Sequence, residues 1–162
     1  MDRKQAPTIK VVLSDVDGVL TDGGLYFTEK GDQFKRFHVH DGMGFLLLKE
    51  RGFTTGIITS ENLELVRLRA QRIRPDYLYM NLGFEGKLEA AREIAAKEGC
   101  SLDEMAYIGD DVNCIPLLQA VGQAFCPSNA VEAVKAVSGI HVLTAAGGHG
   151  AFREMAELLL RS

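Results

Sequence analysis

Short uninterrupted apolar runs, each followed by a longer amphipathic stretch, constrain this chain more than any other feature. "IKVVLSDV", "TTGIIT", "YLYM", "MAYIGDD", "QAFCP" and "IHVLT" read as strands. "MGFLLLKERG", "NLELVRLRAQRI", "KLEAAREIAAKEG", "IPLLQAVG" and "NAVEAVKAVS" read as the helices between them, with Gly52 and Gly99 as stops, and a final helix follows "GGHG". The strands are apolar at successive positions, the pattern of a sheet buried on both faces. Regular strand–helix alternation predicts an α/β fold with a mostly parallel sheet flanked by helices.

One segment departs from that rhythm. "GLYFTEKGDQFKRFHV" places Leu25, Phe27, Phe34 and Phe37 around the turn-like "EKGD", which predicts a β-hairpin over about residues 24–39. It directly follows a cluster of aspartates, so it is placed to act as a flap. The 162 residues fit one domain. A net charge of −4 argues against a nucleic-acid partner, and "RLRAQRIR" reads as a solvated face. No apolar run reaches membrane-span length, and "MDRKQAPTIK" lacks the hydrophobic stretch of a signal peptide. Three cysteines without a C-x-x-C spacing argue against a disulfide framework and structural zinc. The expectation is a soluble cytosolic domain with reduced thiols.

In a parallel α/β sheet, ligands bind beyond the C-terminal ends of the strands. Asp15 and Asp17 stand where the first strand ends, and Thr59 and Ser60 close "GIITS". Asp110 and Asp111 follow "YIG", and Lys87 opens a helix. Converging carboxylates repel unless a cation compensates. Oxygen donors without histidine select a hard ion, and Mg²⁺ suits few carboxylates plus a phosphate. Phosphoryl transfer needs a nucleophile, a cation, positive charge on the phosphoryl oxygens and an acid for the leaving group. An aspartate can serve as the nucleophile, and a second one two residues on can move the proton.

This ordered set resembles the haloacid dehalogenase superfamily, with "DVDGVLTD" as its first motif, "IITS" as its second, Lys87 as its third and "GDD" as its fourth. The resemblance implies a Rossmann-like fold with Asp15 as nucleophile and Asp17 as general acid/base. It implies Mg²⁺ held by the Asp15 carboxylate, the Asp17 backbone carbonyl and Asp110, with Asp111 supporting the metal site. Thr59, Ser60 and Lys87 would bind the phosphoryl group. In "GDDVNC", Cys114 stands where many members carry an acid, which implies weaker metal binding or compensation by Asp111 and Asn113.

Members usually select substrates with a cap domain between motifs. Here the interval from Asp15 to Thr59 holds only the hairpin and one helix, so no cap is expected. Something else must complete the site, and a neighbouring subunit is the obvious candidate. "DGVLTDGGLYFTEKG", "FHVHDGMG", "LVRLRAQRI" and "GGHGAFRE" resemble the capless sugar-acid phosphatases of that superfamily. These act on 3-deoxy-D-manno-octulosonate (KDO) 8-phosphate and on nine-carbon sialic-type 9-phosphates, and form homotetramers. On that likeness Asp41, Glu61, Arg69 and Arg153 are candidate substrate contacts, arginine suiting a sugar carboxylate. Arg67 reads as a surface charge, and His38 and His141 as structural or surface residues. Octulosonate enzymes tend to carry Gly-Arg after the second-motif threonine and arginine in the tail, whereas this chain has Ser60-Glu61 and His149. KDO 8-phosphate is the expected substrate. The alternatives are a nine-carbon 9-phosphate, a phosphotransferase, and a non-catalytic tetramerisation module like those fused to cytidylyltransferases. The module related to those fusions has lost motif residues, whereas this chain keeps all four.

Overall fold

A strand apolar on both sides needs cover on both sides, and the computed structural model, which describes residues 8–162, supplies it. In chain order the elements are β1 (Val11–Ser14), β2 (Tyr26–Thr28), β3 (Gly31–Phe34), α1 (Val39–Glu50), β4 (Thr54–Ile58), α2 (Glu64–Ile73) and β5 (Tyr77–Tyr79). There follow α3 (Gly86–Glu98), β6 (Met105–Ile108), α4 (Ile115–Leu118), β7 (Gln123–Cys126), α5 (Glu132–Lys135), β8 (His141–Val142) and α6 (Ala151–Arg161). Six strands form one sheet in the order β5-β4-β1-β6-β7-β8, and every pairing in it is parallel. Helices lie on both faces, so the chain has the Rossmann-like α/β fold that the alternation predicts.

Alternate residues of each strand feed two cores. Val12, Ala106 and Ile108 join Phe45 of α1, Val66 of α2 and Phe152 and Met155 of α6. Val11, Leu13, Met105 and Tyr107 join Ala91 and Ile94 of α3, Leu117 of α4 and Val134 of α5. The Phe45 and Phe152 rings stack at 3.9 Å with their planes 9° apart. Asp41 fastens the same helix pair: it is buried, and its Oδ1 accepts from the backbone N–H of Arg153 at 2.9 Å, satisfying an otherwise orphan donor in the first turn of α6.

The predicted hairpin is present. β2 and β3 pair antiparallel with a register shift between Tyr26 and Phe27, and Thr21 bridges Phe37 at its base. It forms a sheet separate from the main one, and its apolar side chains face solvent, Phe27 being 73% exposed. Between β1 and β4 the chain builds only this hairpin and α1.

Some expected boundaries move. α1 starts at Val39 rather than Met43, because the His38 ring accepts from the His40 N–H at 3.2 Å and caps the helix there. α4 and α5 span four residues each. α4 stops early because the chain packs tightly at Gly122, where a Cβ would lie 1.8 Å from the Asp103 carbonyl oxygen. α5 gives way to a turn with Gly139 at φ +76°.

Candidate active site

β1 sits between β4 and β6, so three loops leave the same sheet edge together. Asp15 follows β1, Thr59 follows β4, and Asp110 lies two residues beyond β6. The first turn of α3 brings Lys87 to them. These residues line one cleft of about 260 Å³ with Asp17, Ser60, Glu61, Asp111 and Asn113. The structure thus brings together every residue expected for nucleophile, acid/base, phosphate and metal roles. Gly18 shows how tight the approach is. Its φ is +75°, and a Cβ there would lie 1.8 Å from Asp110 Oδ2. Only glycine allows the first-strand loop to pass beside that carboxylate.

The nucleophile candidate is held from both oxygens. Asp15 is buried, its Oδ1 accepts from Val16 N–H at 2.7 Å, and its Oδ2 lies 2.5 Å from Lys87 Nζ. Burial is the largest single influence and opposes the charge on Lys87, but attraction and hydrogen bonding to Asp15 and Cys114 together outweigh it, and the lysine pKa is raised. Cys114 also reaches Oδ2, its Sγ donating at 3.1 Å, while Tyr107 donates to that Sγ at 3.2 Å. Burial first, then the Asp15 charge, push the Cys114 thiol up to about 12, so it stands there as a neutral donor.

Asp110 carries the mark of an uncompensated cluster. Burial, then repulsion from Asp15 and Asp111, raise its pKa to about 7. Ligand atoms of Asp15, Asp110 and Cys114 lie within 4.8 Å of one another. A carboxylate pair strained in this way fits a hard divalent cation, which would relieve the repulsion.

Asp17 lines the cleft but takes its partners from elsewhere. Its Oδ1 accepts from Lys35 Nζ at 2.6 Å and from Thr21 Oγ1 at 3.3 Å. Sequence reasoning missed Lys35, because nothing in "DQFKRF" sets this lysine apart from its basic neighbour. On the opposite wall, Asn113 donates to Ser60 Oγ at 3.3 Å and Glu61 N–H donates to Thr59 Oγ1 at 3.2 Å.

Three expected substrate contacts lie outside this cleft. Asp41 is buried as the cap of α6, with its Oδ2 unpartnered, and burial raises its pKa to about 6. Its place under α6 makes it a fastening of the fold rather than a group open to a ligand of this subunit. Arg153 pairs with Glu157 at 2.8 Å. Arg69 donates to the His38 carbonyl at 3.1 Å and sits 5.5 Å over the Phe37 ring. Arg69 and Arg153 line a different groove, of about 600 Å³, together with Lys49, Arg72 and Arg74. Arg67 is exposed, beside Glu64 and Asn62, and His149 is held by Gly147 and Arg36.

The family model for haloacid dehalogenase-like hydrolases matches residues 54–151. The 3-deoxy-D-manno-octulosonate 8-phosphate phosphatase of Haemophilus influenzae is 37% identical, over 99% of this chain and 87% of its own. The Yersinia pestis phosphatase of the same name is 33% identical over 97% and 82%. Among solved structures, the cobalt-bound H. influenzae enzyme superposes with a TM-score of 0.88 at 34% identity, covering 95% of this chain and 88% of that one. The Moraxella catarrhalis phosphatase, in complex with magnesium ion, phosphate ion and KDO, gives 0.89 at 35% identity over 96% and 88%. With the motif residues converging in one cleft and the likeness running nearly end to end, the chain belongs to the haloacid dehalogenase-like hydrolases.

Proposed function

We propose that this protein is a Mg²⁺-dependent phosphatase that hydrolyses KDO 8-phosphate through an aspartyl-phosphate. The observation that carries the reading is the convergence of Asp15, Asp17, Thr59, Lys87 and Asp110 on one cleft. The full-length likeness to octulosonate 8-phosphate phosphatases supports it.

In this reading Asp15 attacks phosphorus, and the bond from phosphorus to the sugar oxygen breaks. Asp17 gives that oxygen its proton. Asp17 then takes a proton from water, the water oxygen attacks the aspartyl-phosphate, and Asp15 is released with inorganic phosphate. Lys87 and Thr59 hold the non-bridging oxygens. Asp15, the Asp17 carbonyl and Asp110 would hold Mg²⁺, which when bound would supply positive charge for the phosphoryl oxygens.

At about 260 Å³ the cleft falls below the roughly 300–1,000 Å³ of pockets that bury a drug-sized ligand. The sugar therefore extends beyond it. With no cap domain among the described residues, a neighbouring subunit of a homotetramer completes the site. The exposed hairpin aromatics support that assembly, and Arg69 and Arg153 are then placed to serve another subunit's substrate. Among the described residues no helix is long and apolar enough to cross a membrane. Three free cysteines support a reducing compartment, the cytosol. Glu61 on the cleft wall favours a second reading, a nine-carbon sugar-acid 9-phosphate.

The test is phosphate release with Mg²⁺ from KDO 8-phosphate and from nine-carbon 9-phosphates, alongside Asp15→Asn. Preference for KDO 8-phosphate, abolished in the variant, is the expected result. Preference for a nine-carbon substrate would make Glu61 a specificity residue. Turnover of neither would leave only an assembly role.

A further inference from the structure

Lys35 leaves the hairpin immediately after the exposed Phe34, yet its own side chain is only 2% exposed. Burying an ammonium is costly unless it is paired. Its partner is Asp17 Oδ1 at 2.6 Å, an ion pair spanning the hairpin and the loop after β1. Thr21 Oγ1 reaches the same oxygen. Among the described residues both side-chain contacts of Asp17 fall on Oδ1, and Oδ2 accepts none. The two oxygens of this carboxylate are therefore unequal: one is anchored twice, and the other is free to exchange a proton.

We propose that Lys35 is a positioning residue for Asp17, fixing Oδ1 so that Oδ2 serves as the proton-transferring atom. The inference rests on the acid/base role of Asp17 in the reaction above. Among the described residues Lys35 contacts the Asp17 side chain, not its carbonyl, and makes no ion pair with the Asp15 or Asp110 carboxylates. It acts through Asp17, and it ties proton transfer to the seating of the hairpin. A chain that covers the apolar hairpin face steadies Lys35, and through it the acid. A shift of about 1 Å in a catalytic group is enough to cost ~10²-fold in rate.

Leaving-group dependence separates this role from a merely structural one. A sugar alkoxide leaves poorly and needs its proton, whereas p-nitrophenolate leaves well without one. The experiment measures kcat and KM of the Mg²⁺-loaded enzyme for KDO 8-phosphate and for p-nitrophenyl phosphate. It compares wild type, Lys35→Met, Lys35→Gln, Lys35→Arg and Asp17→Asn. The glutamine variant guards against a folding failure of the methionine one, and aryl phosphate turnover reports an intact nucleophile and metal site.

Expected is a loss of about 10–100-fold in kcat/KM on the sugar phosphate for Lys35→Met and Lys35→Gln. That ratio reports steps up to leaving-group departure and excludes the later water attack that Asp17 also serves. On the aryl phosphate the loss stays below about threefold, and Lys35→Arg recovers part of the sugar-phosphate rate. Asp17→Asn should show the same selectivity, amplified to about 10²–10⁴-fold. Equal losses on both substrates, or no loss on either, in the Lys35 variants would overturn the proposal while Asp17→Asn still discriminates. If Asp17→Asn itself fails to discriminate, the acid role of Asp17 falls first and the proposal with it.

Discussion

Cys114 Sγ donates to Asp15 Oδ2 at 3.1 Å, on the same carboxylate oxygen that Lys87 approaches. A neutral thiol thus occupies a place where many relatives of this fold would set a second negative charge. Against the pattern that the family resemblance implies, the cluster around Asp15, Asp110 and Lys87 is one charge less negative, and a weaker hold on a cation is the expectation unless Asp111 and Asn113 compensate. Cys114→Asp should lower the Mg²⁺ concentration for half-maximal activity by about tenfold, the scale on which groups behind metal ligands act. Cys114→Ser, which keeps a neutral donor, should stay near wild type. A Mg²⁺ titration of the three proteins decides it, and coincident curves would remove the proposed deficit.

Lys87 and Asp15 form a buried pair whose members neutralise each other. Lys87→Met leaves the carboxylate buried without its cation, which costs roughly 3–5 kcal/mol when one partner of such a pair is removed. Urea unfolding without divalent ions should show that loss, and phosphate release should vanish. Saturating Mg²⁺ should restore part of the stability and none of the activity.

Asp41 gives a pH dependence of known sign. Burial raises its folded pKa from 3.8 to about 6. The contribution from its proton is therefore complete below pH 3.8 and is lost as pH rises through about 6. The gap amounts to on the order of 3 kcal/mol. Asp41→Asn keeps an acceptor for the Arg153 N–H and cannot ionise. Relative to wild type it should gain stability by that amount between pH 4 and pH 7.5 in Mg²⁺-saturated denaturation curves. Parallel curves would show that Asp41 does not titrate within the fold.

The hairpin carries Leu25, Phe27 and Phe34 into solvent at 66%, 73% and 67% exposure. An apolar patch on a two-stranded projection calls for a partner surface. If the proposed homotetramer forms through this face, Phe27→Asp combined with Phe34→Asp should convert it to smaller species in sedimentation velocity runs. The domain should stay folded, because neither ring belongs to the two cores. An unchanged sedimentation coefficient would assign the contact to another face.

Local chemistry made much of this molecule legible. Val11–Leu13, Ile57–Ile58 and Met105–Ile108 announce buried strands by being apolar at consecutive positions, and strand ends then locate Asp15, Thr59 and Asp110. What stayed hidden depends on contacts between distant segments. Asp41 looks like a ligand-binding acid until α6, far along the chain, sets the Arg153 N–H against it. Lys35 looks like one more surface cation until the hairpin folds it onto Asp17. α4 and α5 show helical periodicity longer than they can use, because close packing at Gly122 and the turn at Gly139 end them.

The stacked pair Phe45 and Phe152 also sets an order of events. α1 is made well before α6, so the part of the sheet face that α6 covers stays bare until α6 emerges. Contacts this remote in sequence are paid for in loop-closure entropy and slow the search for the native state. Until α6 docks, Phe45 and Leu48 remain open to other chains, and the nascent protein is at its most aggregation-prone. Docking of α6 against α1 is then the step that closes this face of the core.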